Sequence, residues 1–290
     1  MLGQTELCER FFSEQSGVGL GFSHLSWCLL RGCLIYYGNS FIYPLKYTQF
    51  MVKISIISPI RNEEGVVKQL IGRVTKTMKS NFGDDWEYIL VDDASTDNTA
   101  NMVTGLSKHN NKLVLLSHSK SKGQTGCFKT GFDNAKGKII VTMDGDLQVL
   151  PEEIPKFVEK IDRGYDVVNG IRENRSHPFW IKLASRVYNT LMLLFFNSPV
   201  MDAASNYTAF KADFVKGLPL KDNDHRYIIP IVMRRGAKRI GEIIIEHSGR
   251  NHGKSKYKAL PKYIKGLPEI FLALLRIRFG RYDKVLISRK

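Results

Sequence analysis

The feature that most constrains the fold is a regular alternation of two kinds of apolar segment, which begins near residue 51. Short apolar runs typical of buried strands lie at residues 53–59, 88–91, 113–117, 138–143 and 166–170. Between them lie segments with the apolar spacing of amphipathic helices, at residues 63–79, 99–108, 126–135 and 151–163. Because strands that alternate with helices build β-α-β units, we predict an α/β fold with a doubly wound, mostly parallel sheet flanked by helices.

Polar residues follow four of the predicted strands. They lie at residues 59–63, 92–97, 144–148 and 170–172. In open α/β sheets, ligands bind beyond the carboxyl ends of the strands. We therefore expect these four segments to meet in one site at that edge of the sheet.

The fourth predicted strand ends in two carboxylates one residue apart, Asp144 and Asp146, and Gln148 follows them. On an extended chain this spacing places both carboxylates on the same side. Two hard oxygen ligands suit Mg²⁺ or Mn²⁺ that holds a diphosphate. An isolated pair of this kind is more often a solvated turn, so the interpretation as a metal site depends on the neighbouring polar segments.

The other polar segments each allow a structural and a functional interpretation. Asp93 is placed to accept hydrogen bonds from a nucleoside, or its loop simply opens the next helix. Glu63 is placed to reach the nucleoside and Arg61 the phosphates, or Asn62 caps a helix. The backbone amides of residues 123–126 face an anion or belong to a plain turn. No glycine-rich dinucleotide motif or Walker loop is present, so those two nucleotide-binding classes are unsupported.

The charge is strongly positive and unevenly distributed. The formal net charge is +15, and residues 221–290 contain 18 Lys or Arg against 6 Asp or Glu. Such a segment implies an anionic partner, which is nucleic acid, anionic lipid or a phosphorylated substrate. Residues 250–257 place three cations around a glycine, and this loop either closes over a phosphate or is an exposed basic surface. Without an aromatic platform or a zinc finger, nucleic acid is the least supported partner.

The C-terminal half has a different character. Residues 179–196 and 260–279 have amphipathic helical patterns, and Pro268 interrupts the second. A helix is predicted at 226–233 and a strand at 240–246. We find no segment that qualifies cleanly as a membrane span. The four cysteines match neither a zinc pattern nor a disulfide framework, which favours a reducing compartment.

With these residues in view, the chain resembles the family 2 glycosyltransferases, which have the GT-A fold with a Rossmann-like sheet. Within that family it resembles the polyprenyl-phosphate sugar transferases: dolichol-phosphate mannose synthases and bacterial undecaprenyl-phosphate glycosyltransferases. The resemblance covers residues 52–257 and rests on five motifs in order. These are Ser58-Pro59 with Asn62-Glu63, Val91-Asp92-Asp93 with Ser95-Thr96-Asp97, Met143-Asp144-Gly145-Asp146-Leu147-Gln148, Gly170-Ile171-Arg172, and Arg250 with Gly253-Lys254-Ser255-Lys256-Tyr257.

The resemblance implies a role for each motif. The nucleotide-sugar would contact Pro59, Asn62, Glu63, Asp93, Asp144 and Gln148. Mg²⁺ or Mn²⁺ would be held by Asp144, Asp146 and Gln148. Catalysis would depend on Asp144, Asp146 and Arg172. The acceptor and the phosphates would contact Arg172, Arg186, Asp202, Arg250 and Lys256. Gly123-Gln124 resembles the bacterial members, and Arg61 departs from the family, which often has Tyr there.

The resemblance also implies a domain organisation. Residues 1–50 match nothing recognisable in the family and are expected to be a poorly ordered or unrelated extension. Residues 51–258 would be the GT-A domain, and residues 259–290 a basic amphipathic tail. The protein would be peripheral on the cytoplasmic face of a membrane, or anchored there by the amphipathic segments 179–196 and 260–279.

The expected reaction is inverting, metal-dependent transfer of a hexose from a UDP- or GDP-sugar to a polyprenyl phosphate, for glycan or cell-envelope synthesis. An alternative is transfer to a saccharide or a lipid-linked saccharide, which needs a base, and Asp202 and Asp213 are weak candidates. A third hypothesis is a basic binding protein on a degenerate transferase scaffold, which would bind a membrane or nucleic acid.

Overall fold

The structure is a computed structural model that describes residues 36–37, 40–41, 53–172, 179–203, 205–246, 259–280 and 282. The chain divides into two units, Met1–Gln49 and Phe50–Lys290. In the first unit, Tyr36–Tyr37 pairs antiparallel with Ser40–Phe41. The second unit contains the regular fold.

Within the described residues, seven strands form the sheet of the second unit. They are β1 (Ile54–Ile60), β2 (Trp86–Asp92), β3 (Leu113–Ser117), β4 (Ile139–Thr142), β5 (Val167–Arg172), β6 (Thr208–Lys211) and β7 (Ile240–Ile245). Their order across the sheet is β3-β2-β1-β4-β6-β5-β7. All neighbours pair parallel except β6, which is antiparallel to both β4 and β5. The predicted mostly parallel α/β sheet is therefore confirmed.

The helices pack on both faces of this sheet. They are α1 (Val67–Phe82), α2 (Thr99–Ser107), α3 (Gly123–Asn134), α4 (Ile154–Asp162), α5 (Phe179–Phe196), α6 (Ala212–Val215), α7 (Ile228–Arg234) and α8 (Ala259–Arg278). Two 3₁₀ turns, Pro151–Glu153 and Asp224–Tyr227, precede α4 and α7. Among the described residues, no helix combines the length and hydropathy needed to cross a membrane.

The alternation of strand side chains divides the core into two layers. Ile57 of β1 belongs to the layer that contains α3, α7 and the buried positions of α8, whereas Ile56 belongs to the layer with α1, α2 and α4 on the other face. Close approach on the first face depends on Gly131 of α3, because a Cβ there would lie 2.5 Å from Cγ2 of Ile57. The nearly continuous apolar run of β1 is thus the sequence signature of a strand that is buried on both faces.

The structure differs from the sequence-based prediction of the fold at β6 and at Pro268. Strand β6 was not predicted, because four residues are too few to establish a period. The predicted interruption at Pro268 is absent, since α8 is continuous from Ala259 to Arg278. A proline inside a helix costs about 3 kcal/mol, and burial of Ile270, Ala273 and Ile277 against the core helps to offset it.

Candidate active site

The loops after β1 and β2 are locked together by hydrogen bonds. The backbone amide of Asn62 donates to Oγ of Ser95 (2.9 Å), and Oδ1 of Asn62 accepts from the amide of Thr96 (2.8 Å). The amide of Glu63 donates to Oγ1 of Thr99 (2.9 Å). Asn62 and Ala94 have positive φ angles of 55° and 57°, which these bonds maintain. Asn62 does not cap α1, which begins at Val67; it joins the two loops instead.

The carboxylate of Asp93 organises the segment that leads into α3. It accepts hydrogen bonds from Nδ1 of His118 (3.0 Å), Oγ of Ser121 (2.6 Å) and the amides of Lys122 (2.7 Å) and Gly123 (3.0 Å). Burial acts to raise the pKa of Asp93, but these four bonds outweigh it and lower the pKa to about 2. Both oxygens of Asp93 are therefore used inside the protein, and its predicted contact with a nucleotide stays a prediction.

Asp144 lies where β4 ends against β1. The amide of Met143 donates to the carbonyl oxygen of Ile57 (3.0 Å), so the chain leaves the sheet beside the end of β1. The chain turns at Gly145, where a Cβ would lie only 2.6 Å from the carbonyl oxygen of Pro59, so the lack of a side chain permits this close approach to β1. Pro59 itself lies in β1, and its predicted contact with the nucleotide-sugar stays a prediction.

Two side-chain amides from different parts of the chain orient Asp144. Oδ1 of Asp144 accepts from Nε2 of Gln124 (2.9 Å) and from Nδ2 of Asn206 (3.2 Å). In the part of the chain that the structure describes, no hydrogen bond reaches Oδ2. Neither amide was predicted as an Asp144 partner, because each is one polar residue in a turn with no periodic or motif signal of its own.

The surroundings of Asp144 disfavour its ionised form and raise its pKa. Burial raises it first and the charge of Asp146 second, while Arg172 and the amides of Asn206 and Gln124 lower it; the result is a pKa of about 6. The negative charges of Asp144 and Asp146 repel each other unless a cation lies between or beside them. The donor set is therefore of the kind that a divalent cation stabilises.

The pair does not have the extended geometry that the sequence predicts. Strand β4 ends at Thr142, and Gly145 and Asp146 form a turn. Leu147 has a positive φ of 59°, and Oδ1 of Asp146 accepts from the amide of Gln148 (3.2 Å). Asp144 and Asp146 still interact, but the turn brings them together rather than the pleat of a strand.

Arg172, the last residue of β5, forms a bidentate ion pair with Asp202. Nε of Arg172 lies 2.8 Å from Oδ2 and Nη2 lies 2.9 Å from Oδ1. Both side chains are mostly buried, and Asn169 holds the carbonyl oxygen of Asp202 at 3.0 Å. The sequence placed both residues on the acceptor side but did not predict their pairing. Because both carboxylate oxygens of Asp202 are bound to Arg172, this ion pair also argues against Asp202 as a general base.

The remaining predicted residues are dispersed. Arg186 is exposed on α5, and Arg61 donates to Oγ of Ser121 (2.7 Å). Arg250 and Lys256 lie outside the described residues. Asp213, a candidate base, follows the far end of antiparallel β6: Thr208 pairs with Thr142, whereas Lys211 pairs with Ile139. That topology places Asp213 at the edge of the sheet opposite Asp144, so this candidate was wrong.

Comparison with known families shows which family this chain belongs to. The sequence model of the family described as Glycosyl transferase family 2 matches residues 55–218. The match covers more than half of the chain and includes the turn with Asp144 and Asp146. The chain belongs to glycosyl transferase family 2. The resemblance predicted from its motifs is thereby confirmed at the level of the family.

Solved structures similar to this family 2 chain support the GT-A fold. Glucosyl-3-phosphoglycerate synthase from Mycobacterium tuberculosis, in complex with Mn²⁺, uridine diphosphate and phosphoglyceric acid, superposes with a TM-score of 0.57 at 16% identity over 79% of this chain and 78% of that one. A mannosyltransferase from Pyrobaculum calidifontis, in complex with GDP-Man and Mn²⁺, gives 0.55 at 18% identity over 77% and 64%. Mannosyl-3-phosphoglycerate synthase from Rubrobacter xylanophilus gives 0.59 at 12% identity over 82% and 78%.

Proposed function

We propose that this glycosyltransferase uses Mg²⁺ or Mn²⁺ to transfer a hexose, with inversion, from a UDP- or GDP-sugar to a polyprenyl phosphate. The observation that carries the proposal is the carboxylate pair Asp144 and Asp146 at the carboxyl edge of the sheet, with one oxygen of Asp144 held by two amides. The Mn²⁺ and nucleotide complexes of the fold neighbours support the donor half of the reaction.

The residues of this edge fit a divalent cation. Asp144 and Asp146 offer hard oxygen ligands, and half-buried Gln148 lies next to them in the same turn. A bound cation would stabilise the negative charge that develops on the nucleoside diphosphate as it leaves. Asp144 holds its orientation through Gln124 and Asn206, so the site needs little rearrangement to receive the donor.

The acceptor oxygen of a polyprenyl phosphate is already an anion near neutral pH. In the proposed reaction it attacks the anomeric carbon, a new carbon–oxygen bond to the acceptor phosphate forms, and the bond to the nucleoside diphosphate breaks. A strong general base is then dispensable, and the proposal agrees with a site whose acidic residue on this side, Asp202, is paired with Arg172. Arg172 contributes a fixed positive charge close to Asp144.

Exposed apolar side chains support contact with a membrane. Leu194 on α5 is 70% exposed, and Phe271 and Leu272 on α8 are 60% and 56% exposed. The two helices pack against each other, so these side chains belong to neighbouring elements. Together with the excess of basic residues after position 221, they suit peripheral binding to the anionic cytoplasmic face of a membrane.

The test is a transfer assay with purified protein, a short-chain polyprenyl phosphate and a panel of UDP- and GDP-hexoses, with Mn²⁺, Mg²⁺ or EDTA. A lipid-linked sugar from one donor, lost in EDTA, is the expected result. Metal-dependent nucleotide binding without lipid product would contradict the polyprenyl acceptor and redirect the assay to saccharides. Absence of nucleotide binding, with salt-sensitive RNA binding instead, would favour the degenerate scaffold.

A second acceptor class is favoured by the fold neighbours. Two of them are named as phosphoglycerate glycosyltransferases, so a small soluble phosphorylated acceptor is the competing candidate. An assay with 3-phosphoglycerate as acceptor and the same panel of donors distinguishes the soluble acceptor from the polyprenyl phosphate. Product with 3-phosphoglycerate but not with the lipid would overturn the membrane-linked reaction.

A further inference from the structure

We propose that Gln124 and Asn206, here called the amide pair, are positioning residues that give the two oxygens of Asp144 different tasks. In this arrangement the protein holds Oδ1, and Oδ2 is presented to the divalent cation. The inference rests on the metal-dependent function proposed above and identifies residues that set the metal affinity of the site.

The first argument is convergence on one atom. Gln124 comes from the first turn of α3 and Asn206 from the loop before β6, and the two residues are 20 and 62 positions from Asp144 in the sequence. Both donate to Oδ1, at 2.9 and 3.2 Å. Two donors on a single oxygen fix the torsion of the carboxylate, and they direct its other oxygen away from the amides.

The second argument is the chemistry of the donors. A side-chain amide is neutral and donates through its NH₂ group, so it orients a carboxylate without cancelling its charge. A Lys or Arg in the same place would orient Asp144 equally well but would repel a cation. Hydrogen-bonding partners of this kind typically change metal affinity about 10- to 100-fold.

The third argument is a contrast within the same molecule. Asp93, His118 and buried Cys127 lie close enough together for a metal group, but both oxygens of Asp93 already accept hydrogen bonds. Burial first, and then Asp93, raise the pKa of the Cys127 thiol to about 12, so the thiol stays protonated. That cluster is a hydrogen-bonded support for the start of α3, whereas Asp144 keeps one oxygen for a ligand.

The fourth argument is that each amide is itself well supported. The amide of Gly123, next to Gln124, donates to Asp93 at 3.0 Å, and Thr125 contacts Nδ1 of His225 at 2.8 Å. The carbonyl oxygen of Asn206 accepts from Oγ1 of Thr142 at 2.7 Å, at the end of β4. The amide pair is therefore attached to the same elements that place Asp144.

The test compares Mn²⁺ affinity of the full chain with that of Gln124→Met and Asn206→Ala. Electron paramagnetic resonance of free Mn²⁺ is recorded in titrations of Mn²⁺ with uridine diphosphate and, separately, with guanosine diphosphate. Each variant is expected to raise the Mn²⁺ dissociation constant about 10- to 100-fold. Gln69→Met and Asn101→Ala, which change exposed amides on α1 and α2, are the matched controls and are expected to bind as the unmodified chain does.

Thermal unfolding in EDTA separates positioning from a merely structural role. A structural role would lower the unfolding temperature of the variants and leave the affinity of the folded fraction unchanged, and that result would overturn the inference. A higher KM for Mn²⁺ with kcat recovered at saturating Mn²⁺ would support it. If the unmodified chain itself binds no Mn²⁺ with either nucleotide, the proposed function fails as well, and the two failures are thus distinguishable.

Discussion

Replacing Asp144 with Asn is expected to stabilise the metal-free protein while it removes metal binding. Asn keeps an oxygen that accepts from Gln124 and Asn206, so the hydrogen bonds to Oδ1 survive and only the charge is lost. The pKa of Asp144 rises from 3.8 to about 6, because burial and the charge of Asp146 oppose ionisation. The charge of Asp144 therefore destabilises the folded state at neutral pH.

The magnitude follows from linkage between protonation and folding. Each pKa unit corresponds to about 1.4 kcal/mol, so a shift of this size gives an upper limit of about 3 kcal/mol. Asp144 is partly accessible to solvent, and screening reduces the expected gain to about 1–2 kcal/mol. The folded protein holds a proton between pH 4 and 6 that the unfolded chain has lost. The destabilisation is thus absent below the unfolded pKa, grows as pH rises through that interval and is complete above about pH 6.

The assay is urea denaturation of both proteins in EDTA at several pH values from 3.5 to 8. The advantage of Asp144→Asn is expected to vanish at the acid end and to reverse at neutral pH in Mn²⁺ with nucleotide, because only the unmodified chain gains binding energy. Asp84→Asn, which changes a carboxylate 89% exposed, is the control and should alter stability by less than about 0.5 kcal/mol. Equal or lower stability of Asp144→Asn in EDTA at pH 8 would refute the reasoning.

Three further predictions concern the supports of the site. Asp93→Asn is expected to destabilise the protein by about 2 kcal/mol near neutral pH, since the pKa of this carboxyl is lowered from 3.8 to about 2 in the folded state. In denaturation curves the difference in stability should shrink as pH falls from about 4 toward about 2. A loss of stability that does not depend on pH would contradict this prediction. Gly145→Ala drives a methyl group into the end of β1, so calorimetry should show a loss of about 1–3 kcal/mol, whereas Gly72→Ala, with open space around it, should not. Asp202→Asn leaves the guanidinium of Arg172 without its charge partner, and urea unfolding should show a loss of about 1–3 kcal/mol; unchanged stability would mean that the ion pair contributes little.

Much of the fold followed from local pattern. Strand β3 has the predicted bounds, and α5 begins and ends where its amphipathic pattern does. These elements bury apolar side chains on one or two faces, so the spacing of their apolar residues in the sequence predicts where each element begins and ends. Strand β6 lacks such a pattern, because its four residues owe their conformation to antiparallel pairing with β4 and β5.

The sequence by itself determined the fold class, the family and the edge of the sheet where Asp144 and Asp146 lie, because the apolar pattern of each element and the position of each strand end depend on near neighbours in the chain. Only the tertiary structure decided the partners. Gln124 and Asn206 meet Asp144 across 20 and 62 residues, and Arg172 meets Asp202 across 30. Such contacts arise when separate elements close around one core, and no local spacing encodes them. The same closure makes Asp93, for which the motif predicts contact with the nucleotide, an anchor of the segment that carries Gln124.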